Sequence, residues 1–248
     1  MVVSTSNSAS VRSGETGDKF ALDQRAYGLF TDAYLAFYRS QYREAANGFT
    51  EVLRLQPDNP AAYDNRALCY YNLHEYEKAK SDADKAIAIQ PTAHAFYTHS
   101  LVYYALKNIP EAMRDLNEAI RLNPSGSEYY RLLGQLYEDS NEMEFAIREY
   151  GEAIKRAPSD KFLYDQRAHA YYVVKDYSAA VSDYNRSIEI DPNQFDAVMW
   201  RGHSYNALKR YKEALSDYER ALQINPDSKT AQEFRDSTRM LMNGTHAN

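Results

Sequence analysis

Residues 61–91 read AAYDNRALCYYNLHEYEKAKSDADKAIAIQP. Tyr63, Arg66, Ala67 and Tyr70 recur at helical spacing and mark one face of a first helix. Tyr76, Ala79, Ala83, Ala86 and Ile87 form the matching stripe of a second, with His74-Glu75 as the turn between them. Pro91 stops the second helix, because the residue before a proline avoids the helical region. The same arrangement returns along the chain. Prolines stand at 57, 91, 124, 158, 192 and 226, in steps of 34, 33, 34, 34 and 34 residues. Twelve residues before each is an alanine: Ala45, Ala79, Ala112, Ala146, Ala180 and Ala214. A helical pattern with a period near 34 predicts a helix-turn-helix solenoid, whose core lies between neighbours along a line.

The chain of 248 residues carries 29 basic and 35 acidic side chains, a net charge of −6, which argues against a general nucleic-acid binder. Its single cysteine, Cys69, can form neither an internal disulfide nor a metal site, and fits a reducing compartment. No apolar run reaches membrane-spanning length, and the first ten residues, MVVSTSNSAS, lack the form of a secretory signal. A cytoplasmic protein without membrane insertion is expected. Gly-rich phosphate loops, metal-spaced Cys/His sets and nucleophile elbows do not occur, so neither enzyme activity nor a cofactor is expected.

Residues 1–18, rich in serine and without aromatics, predict a flexible tail, with Asp18 as the N-cap of the first helix. Six repeats are expected over 19–228: 26–59, 60–92, 93–126, 127–160, 161–194 and 195–228. Residues 229–242 predict a capping helix started by Asp227 or Ser228, and 243–248 a short tail. The first helix is apolar or aromatic all round, from Tyr27 to Tyr38, yet no repeat precedes it. Residues 19–25 folding back, a partner, or a second copy joined through residues 20–38 would cover it.

The residues now carry a resemblance. Each repeat has a large residue (Leu29, Tyr63, Phe96, Tyr130, Tyr164, Val198) and, four later, a small one (Ala33, Ala67, Ser100, Gly134, Ala168, Gly202). An aromatic follows at Tyr70, Tyr103, Tyr137, Tyr171 and Tyr205, with Ala36 departing. A later one stands at Phe49, Tyr150, Tyr184 and Tyr218, with Ala83 and Leu116 departing. Over 26–228 the chain resembles the tetratricopeptide-repeat (TPR) family. The resemblance implies an all-α, right-handed superhelical solenoid of six antiparallel helix pairs plus the C-terminal capping helix.

It also implies that the first helices line a concave groove. The positions it points to are Phe30, Tyr34 and Phe37, then Leu68, Tyr71 and Asn72, then Tyr97, Leu101 and Tyr104. Glu128, Arg131, Gln135, Glu138 and Asp139 follow, then Asp165, His169 and Tyr172, and last Met199, His203 and Asn206. Aromatic anchors lead this row and charged residues occupy its middle, where repeat 127–160 has a net charge of −4. Such a surface suits a protein segment with apolar anchors and a basic end. The cationic clamp by which some family members grip a chaperone's C-terminal carboxylate is largely absent. Asn65 matches one of its asparagines, but the place of the other holds Tyr34, and those of its closing lysine-arginine pair hold His94 and Thr98.

Two internal expectations complete the reading. Arg66 with Asp82, Arg167 with Asp183 and Arg201 with Asp217, each sixteen apart, should form structural ion pairs, or Asp183 should pair with Arg201 across repeats. His169 and His203 occupy equivalent places and should share a face without forming a metal site. The small residue at a helix crossing tests the register: Ala146→Leu should cost about 1–3 kcal/mol by overpacking, and an unchanged melting curve would contradict the register.

Overall fold

The computed structural model describes residues 8–244, and the expectations for residues 1–7 and 245–248 lie outside that range. Among the described residues there are thirteen helices and no strand. They divide between two compact units, the first ending at Pro124 and the second beginning at Ser125. The first unit holds α1 (Ser8–Tyr38), α2 (Tyr42–Leu55), α3 (Pro60–Asn72), α4 (Tyr76–Ile89), α5 (Ala93–Ala105) and α6 (Ile109–Leu122). The second holds α7 (Ser127–Asp139), α8 (Met143–Arg156), α9 (Lys161–Val173), α10 (Tyr177–Ile190), α11 (Phe195–Ala207), α12 (Tyr211–Ile224) and α13 (Lys229–Gly244). Within each unit, helices consecutive in sequence pack as pairs.

Each pair closes through the same turn. Residue His74 sits in the left-handed region at φ 59°, its N–H reaches the Tyr71 carbonyl at 3.0 Å, and the next N–H, of Glu75, reaches Tyr70 at 2.9 Å. This is a Schellman ending. It recurs at Ser40, Lys107, Asn141, Lys175 and Lys209, at the repeat spacing. Glycine usually takes that position, and its absence from all six hid the turn type in the sequence. The longer connections start helices instead: the Asn59 side chain accepts from the Ala62 N–H with Pro60 in the first turn, and Thr92 and Asp160 cap α5 and α9. Ser228 caps α13 through the Ala231 N–H.

The first helix differs from expectation. It begins at Ser8, so Asp18 lies inside it and residues 8–18 are helical. No proline interrupts this stretch, and extending a formed helix costs far less than starting one. Residues 21–25 continue that helix with exposed side chains instead of folding back over it. Phe30 and Phe37 are half-buried and pack on the first core, with Phe30 edge-on to Phe49 at 5.2 Å. Tyr27, Leu35 and Tyr38 stay outside, 73%, 47% and 68% exposed.

Small opposite large governs the crossing inside a repeat. A Cβ added at Gly134 would lie 2.7 Å from the Tyr150 ring, and one at Gly202 2.8 Å from the Tyr218 ring. Where the second helix carries only Leu116, the facing residue is Ser100, and Tyr150, Tyr218 and Leu116 are all buried.

All three arginine-aspartate pairs form inside their own repeats, bidentately. Arg66 reaches both Asp82 oxygens at 2.6 and 2.9 Å, Arg167 both of Asp183 at 2.7 and 2.8 Å, and Arg201 both of Asp217 at 2.5 and 2.9 Å. The alternative pairing of Asp183 with Arg201 does not form. Arg201 instead reaches Asn185 of the preceding repeat at 2.8 Å, and Arg66 reaches Thr50 at 2.9 Å. Arg66 and Arg201 thus each join three helices. In the third repeat buried His99 takes the arginine's place, 2.8 Å from Asp115 and 3.2 Å from Asp84. Because Asp217 is buried, Arg201→Met should cost about 3 kcal/mol by stranding it, whereas Arg201→Met/Asp217→Leu should recover most of that stability in urea unfolding. A double variant as unstable as the single one would show that the pair does more than balance charge.

Candidate binding faces on the first helices

In the second unit, α9 lies between α7 and α11, and the three first helices enclose a cleft of about 530 Å³. Its floor is one face of α9: Phe162, Asp165, Gln166 and His169. One wall is Gln135 and Glu138 of α7, and the other Asp196 and Trp200 of α11. The polar groups are tied in series. Gln135 Nε2 donates to Asp139 Oδ1 at 3.0 Å, which leaves its carbonyl oxygen to accept from Gln166 Nε2 at 3.4 Å. Since a carboxylate only accepts, the chain of donors is oriented, and Gln166 Oε1 is left as an acceptor without a donor. Asp165 Oδ1 also lacks a donor. Burial, against a hydrogen bond from Ser187, holds the Asp165 carboxyl above the usual carboxylate range. Lys161 is committed to Asp191.

His169 Nδ1 stands 2.8 Å from Glu138 Oε1, and the other oxygen of Glu138 accepts from the Tyr150 hydroxyl at 2.8 Å. Trp200 lies edge-on between the two equivalent histidines, 5.4 Å from His169 and 5.3 Å from His203, and 5.2 Å from Tyr172. His203 turns away from the cleft, with Nδ1 2.9 Å from the Tyr218 hydroxyl and its ring 4.3 Å from Phe234 of the capping helix. It lines a smaller hollow with Tyr172 and Asn206. Among the described residues no three His, Cys, Asp or Glu side chains are placed to hold a metal ion.

The first unit repeats this geometry. A cleft of about 420 Å³ is lined by Tyr34 of α1, Asp64 and Asn65 of α3, and Thr92 and His94 at the start of α5. His94 Nδ1 lies 2.5 Å from Asp64 Oδ2. Of the expected positions only Tyr34 lines that cleft, hydrogen-bonded at 2.9 Å to Tyr38. Leu68 and Leu101 are half-buried, Tyr71 packs 6.0 Å from Tyr76, Tyr97 lies 6.4 Å from His94, and Lys107 covers Tyr104 at 5.6 Å. Arg131 is half-buried on α7, and Asp139 is exposed. Met199, expected on the face, is 5% exposed and belongs to the core, because its neighbour Trp200 takes the outward place. Trp200, Phe162, Gln166 and Asp196 were absent from the expected set. Trp200 was findable: it is the sole tryptophan and stands three residues before His203.

Comparisons with known proteins agree on one family. Models described as tetratricopeptide repeat match residues 60–93, 127–160, 163–194 and 196–228, and one described as TPR repeat matches 101–141. The chain belongs to the tetratricopeptide-repeat family. Curated relatives of this TPR chain include U-box domain-containing protein 70 of Oryza sativa subsp. japonica, 35% identical over 79 residues, 32% of the chain. Hsp70-Hsp90 organizing protein 2 of Arabidopsis thaliana is 38% identical over 56 residues, 23% of the chain. The chain's match spans only 10% of the length of each. Among solved structures, a Pseudomonas aeruginosa PilF superposes with a TM-score of 0.75 at 17% identity, covering 88% of this chain and 99% of that one. YrrB, described as a TPR protein with an unusual peptide-binding site, superposes at 0.65 and 22% identity, covering 77% and 99%. These superpositions establish the fold.

The Glu138–His169 pair gives the second face a pH dependence. The hydrogen bond to Glu138, opposed by burial, raises the His169 pKa, and the same bond lowers that of Glu138. A raised histidine pKa adds stability that is complete below the ordinary histidine range and is lost as pH rises through the folded value. A lowered carboxylate pKa adds stability that is lost as pH falls through its folded value. The pair therefore stabilises most in the mildly acidic window between the two. Glu138→Gln should bring the His169 pKa down in NMR titration and remove this window from the pH profile of unfolding, and an unmoved His169 pKa would contradict the pairing.

Proposed function

We propose that this TPR chain is a non-catalytic adaptor that receives an extended segment of a partner protein on its first-helix faces. The observation that carries this reading is the cleft of α7, α9 and α11, where Phe162 and Trp200 lie beside buried acceptors that no described side chain satisfies. Concave sites with apolar walls and a few convergent polar groups are the usual form of a recognition site. In the first unit, Tyr71, Tyr97 and Tyr104 supply apolar area on half-exposed side chains, with Leu68 and Leu101 beside them. Arg131, Glu138, Asp139, His169, Tyr172 and His203 provide polar selection in the second. No described helix is long and apolar enough to cross a membrane, and we read the setting as cytoplasmic.

A chaperone's C-terminal carboxylate is a poor candidate for the partner group. The organizing proteins named above are relatives over a short span only, and two of the clamp's cationic places are spent otherwise here. His94 is held by Asp64, and Thr98 is fully buried. A second reading rests on α1, whose exposed Tyr27, Leu35 and Tyr38 fall on one helical stripe and could join a second copy of the chain. A mass near 28.5 kDa by light scattering at all concentrations would remove it.

Peptides selected from a random displayed library on the full chain test the adaptor reading. Binding should fall by about thirtyfold or more when the face they use is altered, by Tyr71→Glu/Tyr104→Glu in the first unit or His169→Ala/Trp200→Ala in the second, with circular dichroism unchanged. Peptides that bind all variants equally, or no selected peptide at all, would end this reading.

A further inference from the structure

The two clefts occupy the same place in the repeat, and one difference in charge between them concerns the aspartate on the middle helix. Asp64 and Asp165 each stand three residues before the small residue of their helix, Ala67 and Ala168. His94 and Asp196 each stand six before theirs, Ser100 and Gly202. In the first unit the buried Asp64 is therefore met by the ring of His94, at 2.5 Å. In the second unit the corresponding side chain is another carboxylate. Asp196 is exposed and has neither hydrogen bond nor ion pair among the described residues. The remaining cations of this cleft are engaged, Lys161 by Asp191 and His169 by Glu138. The cleft thus presents Asp165, Gln166 and Asp196 as acceptors beside an indole, and no cation of the cleft is left to face them.

We propose that the α7–α9–α11 cleft takes an arginine side chain of the partner segment, its guanidinium laid against Trp200 and hydrogen-bonded by Asp165 and Asp196. The partner's cation supplies what His94 supplies in the first unit. A guanidinium brings five donors and no acceptor in a planar fork, which matches acceptors that converge from two helices. It is weakly hydrated and stacks on aromatic faces, so it enters a cleft with an indole in one wall more readily than an ammonium. Turning Asp165 toward the cleft uses its terminal torsion, which is soft. The inference deepens the adaptor reading and rests on it for the source of the arginine.

Trp200 is the only tryptophan and lines the cleft, so its emission reports on this site alone. The full chain is titrated with N-acetyl-arginine methylamide, with its citrulline counterpart, which has the same shape without the charge, and with the lysine counterpart. Blocked arginine should change the emission saturably in the millimolar range expected of so small a ligand. Citrulline should leave it unchanged, and lysine should bind about tenfold or more weakly. Asp165→Asn/Asp196→Asn should lose the response, as should Asp196→Lys, a change at an exposed position that spares the fold. No saturable change with blocked arginine, an equal response to citrulline or lysine, or a response that survives both carboxylate variants would overturn the inference. If blocked arginine binds but no selected peptide depends on the cleft, the adaptor reading fails alone. If cleft-dependent peptides emerge while blocked arginine is silent, the arginine inference fails alone.

Discussion

The two helices of a repeat can approach only where a small residue faces a large one. At Gly134 and Gly202 the missing Cβ makes room for the rings of Tyr150 and Tyr218, and no side chain of ordinary size fits there without displacing them. That crossing sets the distance between the helices and so decides which residues reach outward. The left-handed residue at each turn then reverses the chain, and within each unit the next repeat packs on the second helix of the last. Because every repeat solves the same packing problem, the first-helix faces are left free of core duty, apart from positions such as Met199.

Charge sets the register of these packed pairs. An arginine that holds both oxygens of an aspartate in its own repeat and a polar atom of the preceding one cannot slide by a turn without stranding a buried carboxylate. Buried ion pairs add little net stability, because desolvation offsets most of their attraction, and their value lies in what they forbid. In the third repeat, where the repeat spacing is 33 residues instead of 34, His99 stands in the arginine's place between Asp115 and Asp84 of the preceding repeat. The fourth repeat has no such arginine: Leu133 stands in its place, and buried Glu149 is met by its neighbour Arg148.

Most of the architecture was legible in the chain. Proline spacing, the alanines twelve residues earlier and the small-large pattern located the helix pairs, and the sixteen-residue separation located the ion pairs. The start of α1 was not legible, since a serine-rich segment without prolines can either continue a helix or not, and local composition does not decide between them. The site was legible only in outline. Helical spacing placed Glu138, His169 and His203 on the first helices, but it assigned the outward place of α11 to Met199 and missed Trp200 one residue away. A turn of helix presents neighbouring residues about 100° apart, so an error of one position moves a residue from the surface to the core.

By itself, the sequence determined the repeat, the helix pairing and the family, because these follow from local spacing repeated six times. Only the tertiary structure decided which oxygens of the first helices are left without donors, and that Asp165 faces Asp196 where Asp64 faces His94. Those groups come from helices about thirty residues apart in the chain, and whether a carboxylate is answered by a cation depends on side-chain directions across a packed crossing, which periodicity does not encode.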